Sequence, residues 1–263
     1  LHSLDPDERR EAARLSAMLR DSHPISAGRI LDAITAKSPV EDDFHYLCCL
    51  ACINAPLTGE QVQRIARAVI ALDDKTGGLQ MRTKQTYVDR LNEGIARIAK
   101  RAPLYRELVH CDGFARPNHA GIAASFPQPH LSQAAELFFT AVQSMPEAGW
   151  GGDVIGLLAH MEADAIFPLL RRLALQPGLR DECVRLLARA PAESDRQLLL
   201  DAATSPREQV SRIAVQGLAK LSPTVILPTG TGDGMDELIA LFRSSAQEGT
   251  LPLIGRAAGQ TFN

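Results

Sequence analysis

Hydrophobic positions recur every three or four residues along most of this chain, a spacing that places them on one face of an α-helix. In the first half, helices are predicted to begin near Asp5, Ile25, Ser38, Thr58 and Thr86. In the first helix Ala12, Leu15 and Leu19 share one face, which we expect to be buried. No stretch stands out with the period of two that marks a β-strand, so the predicted fold is all-α.

Three helix starts have the sequence of a capping box, in which a Ser or Thr side chain and a Glu or Gln three residues later satisfy two backbone N–H groups. These stretches are Ser38-Pro39-Val40-Glu41, Thr58-Gly59-Glu60-Gln61 and Ser205-Pro206-Arg207-Glu208. We therefore expect Ser38, Thr58 and Ser205 to be N-caps.

A weak internal repeat occupies the second half of the chain. Its copies are Ile155-x-x-Leu158-Ala159-His160, Val184-x-x-Leu187-Ala188-Arg189 and Val215-x-x-Leu218-Ala219-Lys220. The copies are separated by 29 and then 31 residues. A helix pair that recurs at this period is typical of an α-solenoid, a superhelix of stacked antiparallel helix pairs. We therefore predict an all-α solenoid.

Turn-forming residues suggest how the chain is divided. Glycine, proline, asparagine and aspartate cluster between Cys111 and Pro129, which predicts a loop-rich connection. The predicted organisation is a helical region at 1–110, the connection at 111–130, the repeats at 131–222, and a linker, one helix near 235–247 and a tail at 223–263.

Composition and charge narrow the functional classes. The net charge is −3, which provides no overall basic footprint for nucleic acid, and aromatic residues make up only 5% of the chain. No apolar run approaches the length of a membrane span. The five cysteines are an odd number and do not suggest a disulfide framework. The chain begins without Met, so we expect it to be a piece of a longer protein.

Cys49-x-x-Cys52 is the nearest approach to a chemical motif. It lies in the middle of an apolar helix, whereas a redox pair would use the helix N-terminus. Residue 53 is Ile where covalent haem attachment requires His, and no second ligand pair has zinc spacing. We expect these cysteines to pack in the core, with no metal, cofactor or catalytic residue in this segment.

The segment 60–106 is mildly basic, with ten Lys or Arg against five Asp or Glu. It includes Arg64, Arg67, Arg90, Arg97 and Arg106. Such a surface could attract an acidic protein or nucleic acid, or be a set of solvated helix faces.

Five residues outside the repeats are candidates for interaction. His45 and Tyr46 follow two aspartates near a helix start, where acids also suit the helix dipole. Arg116 and His119 lie in the loop-rich connection. Trp150 lies between glycines, where it could serve as an anchor at a turn.

The repeats resemble HEAT repeats, specifically the short bacterial kind with about thirty residues per helix pair. Residues 42–47, 71–73 and 114–120 also resemble the helical region of planctomycete-type multidomain proteins. Such proteins join a HEAT-like segment to a c-type cytochrome domain, often beside a dehydrogenase-like propeller. This resemblance implies export to the periplasm or another extracytoplasmic compartment, with haem c and electron transfer elsewhere in the parent chain. No Cys-x-x-Cys-His is present to bind haem here.

The predicted function is a non-catalytic HEAT-like scaffold that binds a protein partner or a neighbouring domain of the same chain. One alternative is a HEAT-like DNA-binding enzyme of the alkylpurine glycosylase type. It would need a basic concave groove, for which Trp150 and the 60–106 cations are the candidates. Another alternative is a thiol redox module that uses Cys49 and Cys52.

Overall fold

The computed structural model of the protein describes residues 5–76, 84–145 and 148–221. Every regular element in these residues is helical, which confirms the all-α prediction. The α-helices are α1 (Pro6–Met18), α2 (Pro24–Leu31), α3 (Val40–Cys52), α4 (Gly59–Thr76), α5 (Lys84–Ala99), α6 (Leu104–Val109), α7 (Ala120–Ala123), α8 (His130–Ser144), α9 (Gly152–Leu158), α10 (Ala163–Leu173), α11 (Arg180–Leu187), α12 (Arg196–Ala203) and α13 (Glu208–Leu218).

The chain divides into two compact units, residues 1–160 and residues 161–263. The loop-rich segment 111–130 lies within the first unit and contains a 3-10 helix, Pro117–His119, followed by α7. The predicted linker, helix and tail at 223–263 lie outside the described residues.

The first unit has a core built around α3 and α4. The predicted apolar stripe of α4 is confirmed, because Val62, Ile65, Ala66 and Val69 are all buried. Leu50 of α3 is fully buried. These four apolar residues follow one another over two turns of α4, so burying this one face removes a large apolar surface from water.

The buried face of α1 differs from the prediction. Leu15 is 52% exposed and Leu19 is 79% exposed, whereas Ala13 is buried. Helix α1 packs against α3, and the residue of α1 that is buried is Ala13. An ion pair of 3.3 Å between Arg10 and Asp42 ties the same two helices together.

One predicted capping box is confirmed and two are wrong. Thr58 Oγ1 accepts the N–H of Gln61 at 3.2 Å, and Gln61 Oε1 accepts the N–H of Thr58 at 3.0 Å. Ser38 does not cap α3, because its hydroxyl lies 2.5 Å from Asp43 Oδ1 and accepts the N–H of Thr35 instead. Helix α13 begins at Glu208, later than the cap predicted at Ser205.

The second unit contains the repeat copies at 184–189 and 215–220. Val184 and Val215 belong to one apolar core with Leu199 and Val210. Lys220 Nζ donates to the carbonyls of Ala188 and Arg189, both at 3.0 Å. Val184 and Val215 are therefore equivalent core positions, and Lys220, the cation that ends the third copy, binds the end of the second.

Among the described residues, no helix combines the length and the apolar character that crossing a membrane requires.

Candidate functional site

Arg116 and His119 meet at the end of α4. Arg116 Nη1 donates to Asp74 Oδ2 at 2.7 Å, and Asn118 Nδ2 donates to Asp74 Oδ1 at 3.2 Å. His119 Nε2 lies 3.3 Å from Asp74 Oδ1 and 3.6 Å from Asp73 Oδ2. These five residues form what we call the α4-end cluster, and they fasten the loop that precedes α7 to α4.

The loop reaches this position through a tight turn at Gly113. The φ angle of Gly113 is +78°, in the left-handed region that suits glycine. The Arg116 side chain lies over this turn, because its Nη2 would be 3.1 Å from a Cβ placed on Gly113. A side chain at residue 113 would therefore be strained and would crowd Arg116.

His119 is fully buried, and one of its ring nitrogens is clearly assigned. Nδ1 lies 2.6 Å from the carbonyl oxygen of Phe114, so Nδ1 carries a proton and donates it. Burial lowers the pKa of His119, while the Phe114 carbonyl and the Asp74 carboxylate oppose this shift. Burial is the largest of these effects, and the positive charge of Arg116 lowers the pKa of His119 further, so the net shift is downward.

This cluster is suited to holding a loop and poorly suited to chemistry on a substrate. The ring of His119 has no exposed surface, and Asp73 is also buried. Arg116 is half-exposed, but its guanidinium is already paired with Asp74. A general acid or base must reach the reacting group, and His119 cannot do so while the loop stays in place.

His45 and Tyr46 lie on α3 and join it to α1. His45 Nε2 is 3.1 Å from the carbonyl oxygen of Arg10 and 3.5 Å from Cys49 Sγ. Tyr46 is buried, and burial raises the pKa of its hydroxyl, with the charge of Asp42 adding to the effect. Both side chains therefore make contacts within the first unit.

Trp150 is buried and anchors the turn before α9. Its Nε1 donates to the carbonyl of Met145 at 2.8 Å. Its ring lies edge-on to Phe138 at 6.2 Å, and Phe138 in turn contacts Phe114 at 5.6 Å. These aromatic rings connect α8 and α9 to the loop that carries His119.

The cysteine side chains are free thiols in the described residues. Burial raises the pKa of Cys49 to about 12, and it also raises the pKa of Cys48. Burial likewise raises the pKa of Cys183 to about 12. A nucleophilic or metal-binding cysteine needs the thiolate form, so these environments disfavour thiol chemistry at neutral pH.

An exposed apolar surface on α1 was not predicted as such. Leu15 and Met18 of α1 and Leu19, which caps its C-terminal end, are 52%, 68% and 79% exposed, and their i, i+3, i+4 spacing makes them neighbours. We call these three residues the α1 ridge. The sequence predicts a buried face that includes Leu15 and Leu19, whereas the structure places both side chains at the surface.

A cleft of about 260 Å³ lies between α4 and the loop that follows α2. Its apolar lining comes from Leu31, Ile34, Ala36, Ala68 and Ala71, and its polar lining comes from Thr35, Asp43, Arg64 and Arg67. We call it the α2–α4 cleft. The sequence pointed to Arg64 and Arg67 only as members of a basic segment.

Within the described residues, no group of three or more His, Cys, Asp or Glu side chains has the geometry to hold a metal ion. Comparison with protein-family models, with curated proteins and with solved structures finds no match to this chain.

Proposed function

We propose that this chain is a non-catalytic helical scaffold that binds a partner protein, or a neighbouring domain of the same parent chain, through the α1 ridge. The observation that supports this proposal is the exposure of Leu15, Met18 and Leu19 on one side of a helix. Isolated apolar side chains are common on protein surfaces, whereas apolar neighbours on one helix face are typical of interaction sites.

The geometry of the ridge suggests the kind of partner. Apolar anchors at i, i+3 and i+4 are the pattern with which a helix enters a hydrophobic groove. The opposite side of α1 is held by α3, through the pair Arg10–Asp42 and the contact between His45 and the carbonyl of Arg10. The ridge is therefore presented on a supported helix, which reduces the entropy lost when a partner binds.

A finer proposal concerns architecture and context. Contacts between the copies at 184–189 and 215–220 are compatible with HEAT-like stacking, in which each repeat packs on its neighbour. The resemblance to cytochrome-containing proteins supports a role as a spacer or docking segment, with haem c in another domain. A parent reading frame that encodes Cys-x-x-Cys-His and a signal peptide is the expected finding.

Binding to DNA has less support. Arg64, Arg90 and Arg106 of the basic segment form ion pairs with nearby carboxylates. Trp150, the aromatic candidate for DNA contact, is buried. No described feature specifically favours this alternative.

Affinity purification from cells that produce the protein tests the proposal. We would compare the wild type, a ridge variant with Leu15→Ser, Met18→Ser and Leu19→Ser, and a Leu175→Ser control. Leu175 is 82% exposed and lies in the second unit. We expect a partner that copurifies with the wild type and the control and is lost with the ridge variant. Equal recovery with the ridge variant would overturn the proposal.

A further inference from the structure

The α2–α4 cleft combines an apolar lining with charged groups. Leu31 and Ala68 are buried in it, while Ile34, Ala36 and Ala71 contribute more exposed apolar surface. Binding sites for defined ligands usually have this composition, with mostly apolar walls and a few polar groups that set orientation.

One wall of the cleft is held in place by a partly buried ion pair between Lys75 and Asp43. Lys75 Nζ donates to Asp43 Oδ2 at 2.5 Å, to the carbonyl of Thr35 at 2.9 Å and to the carbonyl of Ser38 at 3.0 Å. Asp43 is almost fully buried and the Lys75 side chain is 21% exposed, so the pair is largely but not completely shielded from solvent. The loop is therefore fastened to α4, and the cleft exists before any ligand binds.

Three charged residues line the cleft, and two of them, Arg64 and Asp43, form ion pairs. Arg64 is 2.7 Å from Asp32, and Asp43 is paired with Lys75. Arg67 is exposed and forms no hydrogen bond or ion pair with the residues that the structure describes. A guanidinium binds a carboxylate in a bidentate manner, with two parallel N–H···O bonds.

We infer that the α2–α4 cleft binds an acidic segment of a protein partner, in which an aliphatic side chain enters the cleft and an adjacent Asp or Glu pairs with Arg67. The inference rests on the proposed function, because both take the ligand of this chain to be a protein. The apolar lining is what favours a protein segment, because a nucleic-acid backbone has phosphates but no aliphatic group to place beside Ala68 and Ala71.

Fluorescence anisotropy with a labelled peptide tests this inference. The probe is a ten-residue peptide with Leu-Glu-Leu at its centre between Gly-Ser repeats, and the matched peptide has Gln in place of Glu. We expect Arg67→Gln to weaken binding of the Glu peptide about tenfold or more, since a charge-assisted hydrogen bond is lost. Arg172→Gln, at an exposed arginine of the second unit, leaves the affinity unchanged.

A second variant tests the cleft itself. Ala71 is exposed, so Ala71→Glu adds bulk and negative charge at the cleft with little risk to folding. We expect it to weaken the Glu peptide at least as much as Arg67→Gln does. If Arg67→Gln and Ala71→Glu bind the Glu peptide as the wild type does, or if the wild type does not bind it, the inference is wrong.

Two further arms separate this site from its alternatives. The ridge variant is expected to bind the Glu peptide as the wild type does. Loss of the partner in cells therefore tests the α1 ridge, and loss of peptide binding in vitro tests the α2–α4 cleft. A labelled single-stranded oligonucleotide is expected to bind more weakly than the peptide. If the oligonucleotide binds more tightly than the peptide, and its affinity falls steeply as the salt concentration rises, the inference is wrong and the ligand of the cleft is a nucleic acid.

Discussion

Gly217 of α13 lies so close to Ala188, at the end of α11, that the interface has no room for another carbon atom. A Cβ placed on Gly217 would be 2.9 Å from Ala188 Cβ and 3.1 Å from Ala188 Cα. Both residues belong to the repeat, one to the copy at 184–189 and one to the copy at 215–220. Close packing between the two copies thus depends on the absence of a side chain at residue 217.

Gly217→Ala is therefore expected to destabilise the second unit by about 1–2 kcal/mol, a typical cost of overpacking a core. In an unobstructed helix the same change would stabilise by about 0.5–1 kcal/mol. Hydrogen exchange of α13 peptides, followed in urea, measures the effect within that unit.

Gly156→Ala is the matched control, because nothing lies within 4 Å of its added Cβ in α9. We expect this change to stabilise the first unit slightly. An increase in stability for both variants would mean that the packing at Gly217 is looser than the distances indicate.

Asp195 is expected to be the most sensitive acidic residue of the second unit. It is buried, and it accepts hydrogen bonds from Arg171 Nε at 2.6 Å, Arg171 Nη2 at 3.0 Å and the N–H of Ala192 at 2.8 Å. Asp195→Ala removes both carboxylate oxygens and with them all three hydrogen bonds, and we expect a loss of about 2–4 kcal/mol in the free energy of unfolding.

Asp201→Ala is the surface counterpart. Asp201 pairs with Arg180 at 3.0 Å, and both side chains are more than a third exposed. Exposed pairs contribute about 0–1 kcal/mol, so this variant should unfold close to the wild type in the same urea experiment. Similar losses for Asp195→Ala and Asp201→Ala would refute the distinction between them.

The buried position of His119 predicts a pH dependence of stability. Burial lowers the pKa of His119 below its ordinary value of 6.5. In the interval between the folded pKa and 6.5 the unfolded chain binds the proton and the folded chain does not, so the free energy of unfolding falls as the pH falls through that interval. Urea unfolding between neutral and mildly acidic pH should show this slope.

His119→Gln should flatten that part of the slope, whatever its effect on stability at neutral pH. His110→Gln is the control, because it removes an exposed histidine from the same unit. A wild-type stability that rises on acidification, or an unaltered slope in His119→Gln, would contradict the assignment.

The sequence predicts some of these features well. The stripe of Val62, Ile65 and Val69 and the capping pair of Thr58 and Gln61 are local patterns, because the interacting residues lie within one or two turns of each other. Local patterns of this kind need no knowledge of which helix packs on which.

Other features depend on contacts between distant residues and could not be predicted. The sequence predicts Leu15 and Leu19 in the core, but the buried residue of α1, which packs on α3, is Ala13. The sequence predicts Ser38 as an N-cap, but its hydroxyl donates to Asp43, which is also paired with Lys75. The same limit applies to the α4-end cluster, whose acids lie more than forty positions before Arg116 in the chain.

The thiols provide a test against redox chemistry. With the pKa of Cys49 and Cys183 raised to about 12, both remain protonated at neutral pH. Iodoacetamide reacts with thiolates, so the native protein should be alkylated slowly at both residues and quickly once denatured in urea. Mass spectrometry of the labelled peptides measures each residue separately. Rapid alkylation of native Cys49 would favour the thiol redox alternative.

Site-specific photo-crosslinking from the α1 ridge tests the central claim most directly. Benzoylphenylalanine would replace Met18 in one sample and the exposed Leu175 in another, and both would be irradiated in cells that produce the protein. We predict a discrete adduct with one protein from position 18 and no such adduct from position 175. The absence of an adduct from position 18, or the same adduct from both positions, would contradict the proposal that the ridge is a binding surface.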